Sequence, residues 1–380
     1  MHIKSKLSSS TVTIFTAMSA LATKHGALNL GQGFPDYDPP TELLGLVKKY
    51  IGAHKHQYAP MAGVLELREA ISKKMSESYG QYVHPETDIT ITAGATQAIF
   101  TTITALVHPG DEVIIFEPAY DSYRPAIEIA GGKVVVYAME PPDFKINWHL
   151  LSAMINSKTR MIIINTPHNP TGTILSEDDM KELSQIVRDT DIIILSDEVY
   201  EHLVFDGLSH ESVLKYPELY QRSIAVFSFG KTYHCTGWKI GYCIAPEYIM
   251  KEIRRIHQWN VFCVNSFLQN ALAEYLDTPE HYLMLKDFYQ QKRDYFLEKL
   301  VNSRFQPLKS SGTYFQLCEY SNISSQDDVE FSRELISKYG VAGIPVSAFY
   351  TDKRQDRLIR FCFAKTESLL TNASELLCKR

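Results

Sequence analysis

The stretch SFGKTYHCTGWKIGY, residues 228–242, decides how the rest of the chain reads. It sets Lys231 three residues after Ser228 and eight before Lys239, with glycines at 230, 237 and 241. The apolar run IAVFSF (224–229) enters it and IGYCIA (240–245) leaves it. Lys231 is therefore presented at a strand end, among groups able to hold an anion. Taken alone, the stretch also describes a surface lysine beside a glycine-rich turn. Two upstream stretches count against that plainer reading. NTPHNPTG (165–172) and SDEVY (196–200) each end an apolar run rich in β-branched residues, of the kind that forms a buried strand.

Working outward, short β-rich runs alternate with helical patterns from residue 88 onward. DITITAG (88–94), DEVIIFEPAY (111–120), KVVVYA (from 133), RMIIINT (from 160) and DIIILSDE (from 191) join IAVFSF and IGYCIA to give seven candidate strands. None shows clean polar alternation, so both faces are expected to be covered, in a mostly parallel α/β sheet. Ligand groups in such sheets sit at the carboxyl ends of the strands. Asn165–Gly172, Ser196–Tyr200 and Ser228–Lys231 all fall there.

Upstream, Ile14, Met18 and Leu21 recur at helical spacing in TVTIFTAMSALA, which predicts an amphipathic helix rather than a signal peptide. Pro35, Pro39 and Pro40 exclude regular helix from LNLGQGFPDYDPP (28–40). Helices follow over 41–80, broken near HKHQYAPMAG and stopped at Gly80. Downstream comes a helical tract from about 247 to 302. GTYFQLCEY (312–320), VAGIPVSAFY (341–350) and RLIRFCFA (357–364) then suggest a small α+β domain, closed by a helix from near Thr366.

These motifs together resemble the fold-type I aminotransferases of the class I/II family, which use pyridoxal 5′-phosphate (PLP). GQGFPDY (31–37) resembles the branch containing kynurenine, glutamine and methionine transaminases. The resemblance runs over about residues 12–378. It implies an α/β protein with a seven-stranded, mostly parallel sheet in a large PLP-binding domain (41–275). A small domain (276–380) would pack with the N-terminal segment (1–40).

PLP needs an amine for its Schiff base, a counter-charge for its pyridine nitrogen and a cup for its phosphate. By the resemblance, Lys231 supplies the amine and, once displaced by substrate, the base that moves the Cα proton. Asp197 would face the pyridine nitrogen, a cation that makes its burial tolerable. Tyr200 and Asn169 match the hydrogen-bond donors to the ring hydroxyl oxygen, and Tyr120 the stacking ring. Gly94, Ala95, Thr96, Ser228 and Lys239 match the phosphate cup, where N–H groups at a helix start favour an anion. Tyr58 matches a tyrosine that reaches the phosphate from the neighbouring subunit, which implies a homodimer with shared sites.

Arg360, with a fork suited to bidentate carboxylate binding, matches the substrate arginine. Gly33 matches a backbone position bordering the substrate. Phe15, Tyr37 and Phe262 are candidate side-chain pocket residues, although Phe15 and Phe262 read equally well as core. His234 and Cys235 depart from the small residues common in relatives. No second arginine is evident, so methionine or another neutral or aromatic L-amino acid is the expected donor and a 2-oxo acid the acceptor. A kynurenine or glutamine transaminase with cysteine-S-conjugate β-lyase activity is the alternative.

Composition sets outer limits. The 380 residues carry a net charge of −6, with no dense basic stripe, which argues against nucleic-acid binding. No run approaches the ~18 apolar residues of a membrane span. Of six cysteines, Cys235, Cys243, Cys263, Cys318 and Cys362 form no close pair of zinc-binding or redox spacing, as expected of a cytoplasmic protein without metal. A PLP-sensing regulator would need a DNA-binding domain ahead of the resemblance, where only about 11 residues stand. A catalytically dead binding protein is at odds with the presence of Lys231, Asp197, Asn169 and Arg360.

Overall fold

The computed structural model describes residues 5–7, 13–53 and 55–379. Its main sheet has seven strands, and they are the seven runs picked out above. From one edge to the other they are Ile89–Thr92, Gly241–Ile244, Ser223–Ser228, Ile193–Asp197, Thr159–Asn165, Glu112–Glu117 and Lys133–Ala138. Gly241–Ile244 runs antiparallel to both of its neighbours, and the other pairings are parallel.

The missing polar alternation has the anticipated cause. Ile162, Ile164, Ile194 and Phe227 join one core, while Met161, Ile163, Leu195 and Val226 join another on the opposite face. Each strand is thus apolar on both sides because helices cover both sides. Fully burying one such side chain contributes about 1.5–3 kcal/mol, so the register that aligns Asn165 with Asp197 and Asp197 with Val226 is firmly held.

Around the sheet, the expected helices form with small differences at their ends. Ile14–His25 is capped by the Thr13 side chain and stops at Gly26, whose φ of 62° suits glycine. Thr41–Gly52 and Leu65–Tyr79 flank the HKHQYAPMAG break, and Gly80 ends the second in the left-handed region. The helical tract predicted from about 247 to 302 comprises four helices: Glu247–Asn260, Ser266–Leu276, Glu280–Leu283 and Leu285–Leu300. Pro279 at the third helix's N-cap breaks the run, since proline has no N–H to continue the preceding helix.

A second, four-stranded sheet is built from Ile344–Pro345, Leu358–Cys362, Phe315–Glu319 and Gln306–Pro307, all antiparallel. Leu28–Asn29 pairs in parallel with Val341–Ala342, and Met18 and Ala22 pack on Ile336, Ile344 and Phe349. The N-terminal residues are thereby tied to the last third of the chain. The closing helix is Glu367–Cys378; Thr366 stands at its N-cap but gives its hydroxyl to Asp36, 3.0 Å away, rather than to the helix. That helix holds the sixth cysteine, Cys378, and all six are free thiols. No described helix is long and apolar enough to cross a membrane.

Candidate active site

Strand ends from the large sheet, the N-terminal segment and the second sheet enclose a cleft of about 340 Å³, within the usual range for small-molecule sites. Of the predicted site residues, Phe15, Gly33, Gly94, Ala95, Thr96, Tyr120, Asn169, Asp197, Tyr200, Ser228, Lys231, Lys239 and Arg360 line it. Three do not. Tyr37 lies behind the wall, its hydroxyl 3.1 Å from that of Tyr289 and its ring 5.0 Å from His234. Tyr58 is 82% exposed and Phe262 38%, and their rings pack edge-on at 5.3 Å, outside this chain's own cleft. The unusual His234 and Cys235 also serve packing, His234 accepting or donating at Tyr289 Oη (2.9 Å) and Cys235 buried beneath.

At the floor, Asp197 ends its strand and is 4% exposed. Burial pushes its carboxyl up to about 6, against hydrogen bonds from the Tyr123 hydroxyl (2.6 Å) and the Val199 N–H (3.4 Å) that hold it down. No lysine, arginine or histidine among the described residues forms an ion pair with it. Beside it, Asn165 links two motifs: its Nδ2 donates to Asp197 O (2.9 Å), and its Oδ1 accepts from the Asn169 N–H (2.8 Å).

Lys231 lies in the short helix Phe229–Thr232, capped by Ser228. Its Nζ donates to Tyr314 Oη (2.7 Å) and to Gly33 O (2.9 Å). Burial lowers its pKa to about 8; Arg360 and Lys239 press in the same direction, and Cys362 and Asp197 oppose.

Backbone groups suited to an anion lie where the helix Ala95–Leu106 begins. Its first N–H groups have no intrahelical partner. Gly94 has a φ of 75°, and a Cβ there would stand 3.2 Å from Lys239 Nζ. Only glycine thus lets the loop turn while the ammonium lies against it.

Arg360 is 2% exposed, with its guanidinium 3.8 Å over the Phe315 ring and 5.3 and 5.0 Å from those of Phe15 and Phe349. Nη1 donates to Asn169 Oδ1 (2.7 Å) and Nη2 to Gly31 O (3.1 Å), while Nε is buried without a partner among the described residues. An arginine desolvated in this way, with no carboxylate among the described residues bridged to it, is poised for an anionic ligand.

Sequence reasoning missed Tyr123, Asn165 and Tyr314. Asn165 opens the motif NTPHNPTG, in which Asn169 was read as the ligand group, and Tyr123 lies just past DEVIIFEPAY, of which only Tyr120 was read. Tyr314 was seen only as part of a strand. Nothing local distinguishes it; its role depends on where the second sheet docks.

The donor set fits PLP. It offers a buried amine of lowered pKa, a buried carboxylate lacking a cation, a helix start with a lysine at its mouth, and a ring-sized space walled by Tyr120.

Comparison with known proteins agrees. The family model for aminotransferase class I and II matches residues 26–377. The methionine aminotransferase of Escherichia coli (strain K12) is 50% identical, over 98% of this chain and 97% of its own length. The human kynurenine–oxoglutarate transaminase 1 is 32% identical, over 94% of this chain and 93% of its own. The crystal structure of YbdL from Escherichia coli, published as identifying a methionine aminotransferase function, matches with a TM-score of 0.98 at 50% identity, covering 100% of both chains. The chain belongs to the class I and II aminotransferases, and the cofactor its cleft fits is the pyridoxal 5′-phosphate on which that family depends.

Proposed function

We propose that the protein transfers the amino group of methionine, or of an aromatic or other neutral L-amino acid, to a 2-oxo acid. The observation that carries this reading is the allocation of cations in the cleft. Among the described residues its lining includes Lys231, Lys239 and Arg360 and no other lysine or arginine. Lys231 would be taken by the cofactor, Lys239 by its phosphate and Arg360 by the substrate's α-carboxylate. A side-chain carboxylate would be desolvated with no partner. Phe15, Tyr120 and Phe315 line the same space, and sulfur at an aromatic edge gains roughly 0.3–1.5 kcal/mol. The similarity to the methionine aminotransferase of Escherichia coli supports the same choice.

When bound, PLP supplies a carbonyl for the amino group and an electron sink for the bond broken at Cα. The chain's own groups do the rest. Asp197, ionised, would pair with the pyridine nitrogen and keep it protonated. Asn169 and Tyr200 would hold the ring oxygen, and Tyr120 would stack on the ring. Ser228, Lys239 and the N–H groups of Gly94, Ala95 and Thr96 would hold the phosphate. Arg360 would orient the α-carboxylate, with the Gly33 backbone at its border. Lys231, its pKa already lowered to about 8, is suited to accept and return the Cα proton near neutral pH.

We also read the active unit as a cytoplasmic homodimer, with Tyr58 and Phe262 projecting into the partner's cleft. Both rings stand exposed and packed on one another, and Phe262 has a φ of 68°, a costly conformation for an aromatic residue that holds the ring outward. The domain division is read as 1–40, 41–275 and 276–380. Tyr37, behind the wall, would shape the pocket only through Tyr289 and His234.

Steady-state assays with methionine, phenylalanine, glutamine, kynurenine and aspartate against one keto acid test the substrate choice. Methionine or an aromatic donor should exceed aspartate in kcat/KM by at least ~100-fold, about 2.7 kcal/mol of discrimination. Aspartate as best donor would overturn the pocket assignment. The similarity to the human kynurenine transaminase keeps a second reading in view, kynurenine or glutamine transamination with β-lyase activity. Incubation with a cysteine S-conjugate and a keto acid separates the two, through pyruvate against new amino acid.

A further inference from the structure

Three distant parts of the chain meet at one amine. Lys231 comes from the short helix after a strand of the large sheet, Gly33 from the N-terminal segment, and Tyr314 from the turn entering Phe315–Glu319. Lys231 Nζ donates to Gly33 O at 2.9 Å and to Tyr314 Oη at 2.7 Å, and the Tyr314 hydroxyl itself donates to Gly33 O at 2.5 Å. The three groups close a small ring of hydrogen bonds.

Both acceptors are held rigidly. A Cβ on residue 33 would stand 2.8 Å from Phe315 Cζ, so only glycine lets this segment come close enough to present its carbonyl. Tyr314 is 0% exposed, wedged edge-on between Tyr200 (5.1 Å) and Phe315 (4.9 Å). The amine also lies 5.7 Å from the ring centre of Tyr200, close enough for that π face to favour a cation.

We propose that Gly33 O and Tyr314 Oη form a cradle for the free amine of Lys231, with Tyr314 acting as a positioning residue for proton transfer at the substrate Cα. This rests on the reading of Lys231 as the site's base. The proton leaves Cα for the Nζ lone pair, while the electron pair of the broken bond stays with the carbon framework. With PLP bound, the resulting ammonium would hold that proton at Nζ and give it up again to the neighbouring carbon of that framework. An ammonium binds two oxygen acceptors more strongly than a neutral amine does. The cradle therefore stabilises the lysine in the form that carries the proton, and keeps it from swinging out of line between the two transfers.

The charges facing the amine are Arg360 and Lys239, which disfavour the ammonium, and Asp197 and Cys362, which favour it when ionised. The phenols of Tyr200 and Tyr314 remain neutral, because burial raises both above their ordinary range. The cradle oxygens thus offset part of the desolvation that otherwise drives the lysine neutral.

The test uses enzyme loaded with pyridoxamine 5′-phosphate, which leaves Lys231 as a free amine whatever the preferred donor. A pulse of acetic anhydride at a series of pH values, with mass spectrometry of the Lys231 peptide, titrates that amine. The wild-type midpoint should lie below the ordinary lysine value, the direction that burial sets. Tyr314→Phe should lower it by about one pH unit, the loss of one hydrogen bond to a charged donor. The same variant should lose kcat with little change in KM, whereas a merely structural defect would move the melting temperature and leave the midpoint in place.

A midpoint within about 0.3 unit of wild type, or a rise, would overturn the cradle. A second measurement needs no variant of Tyr314. In wild-type enzyme labelled with 13Cζ-tyrosine, one tyrosine resonance should follow the Lys231 midpoint and lose that response in Lys231→Ala. Absence of any such resonance would likewise overturn the proposal. Failure of the underlying reading is distinguishable, because borohydride would then trap PLP on a lysine other than Lys231.

Discussion

Replacing Tyr123 by phenylalanine removes one hydroxyl, the donor 2.6 Å from Asp197 Oδ2. A hydrogen bond to a charged group contributes roughly 1.5–3 kcal/mol, or about 1–2 pKa units at 1.36 kcal/mol per unit. Burial has already raised the Asp197 carboxyl from 3.8 to about 6. Without Tyr123 it should rise to about 7–8. The signs for folding and for cofactor binding are opposite. A raised acid pKa means that the fold favours the protonated form, so this contribution to stability is complete below about 3.8 and is lost as pH rises through about 6. In Tyr123→Phe the loss should extend up to about pH 7–8. Cofactor binding needs the carboxylate, so affinity is full at high pH and falls as pH drops below the pKa of the cofactor-free protein.

Equilibrium dialysis of PLP against the two proteins from pH 5.5 to 9 reads this directly. At pH 6.5 about three-quarters of wild-type Asp197 is ionised, against roughly 3–25% in the variant, so the variant should bind about 3- to 25-fold more weakly. By pH 9 the two curves should converge. A ratio that stays constant across the whole range would refute the reasoning, because Tyr123 would then affect the site by shape and not through the charge of Asp197.

Three further outcomes follow from the site. Borohydride should trap the cofactor on Lys231, and Lys231→Ala should keep PLP non-covalently while losing transamination; peptide mapping that finds the adduct on another lysine rejects the assignment. Asp197→Asn should fold but lose rate by ~10³-fold or more, as when a buried charge is taken from a transition state, and activity within about tenfold of wild type would remove Asp197 as the nitrogen's partner. Mixing Lys231→Ala with Tyr58→Phe chains should regenerate some fully wild-type sites if Tyr58 crosses between subunits, an idea that a fully active monomer on a sizing column would end.

What the sequence determined by itself was the sheet, its strand-end loops and most of the residues around the cleft. Those features are local. An apolar run without alternation means a strand covered on both faces, and the residues just past its end then point to one edge of the sheet whatever the rest of the chain does. That is why Asn169, Asp197 and Lys231 could be placed together from three separate stretches.

Only the tertiary structure decided the rest. Tyr37 and Tyr314 are both aromatic residues in turn-rich segments, and nothing in their neighbourhoods says which faces the cleft. The docking of the second sheet puts Tyr314 on Lys231 and Tyr37 behind Tyr289. Tyr123, one helical turn beyond the expected Tyr120, proves to be the donor to Asp197 because the helix Tyr123–Ala130 begins just there. Arg360 was legible as a fork for a carboxylate, but its readiness for one comes from burial between three phenylalanine rings that lie 45 or more residues away or only 11, at positions 15, 315 and 349. Hydrogen bonds and desolvation act over a few ångströms in space, and sequence spacing fixes such distances only within a single helix turn or strand.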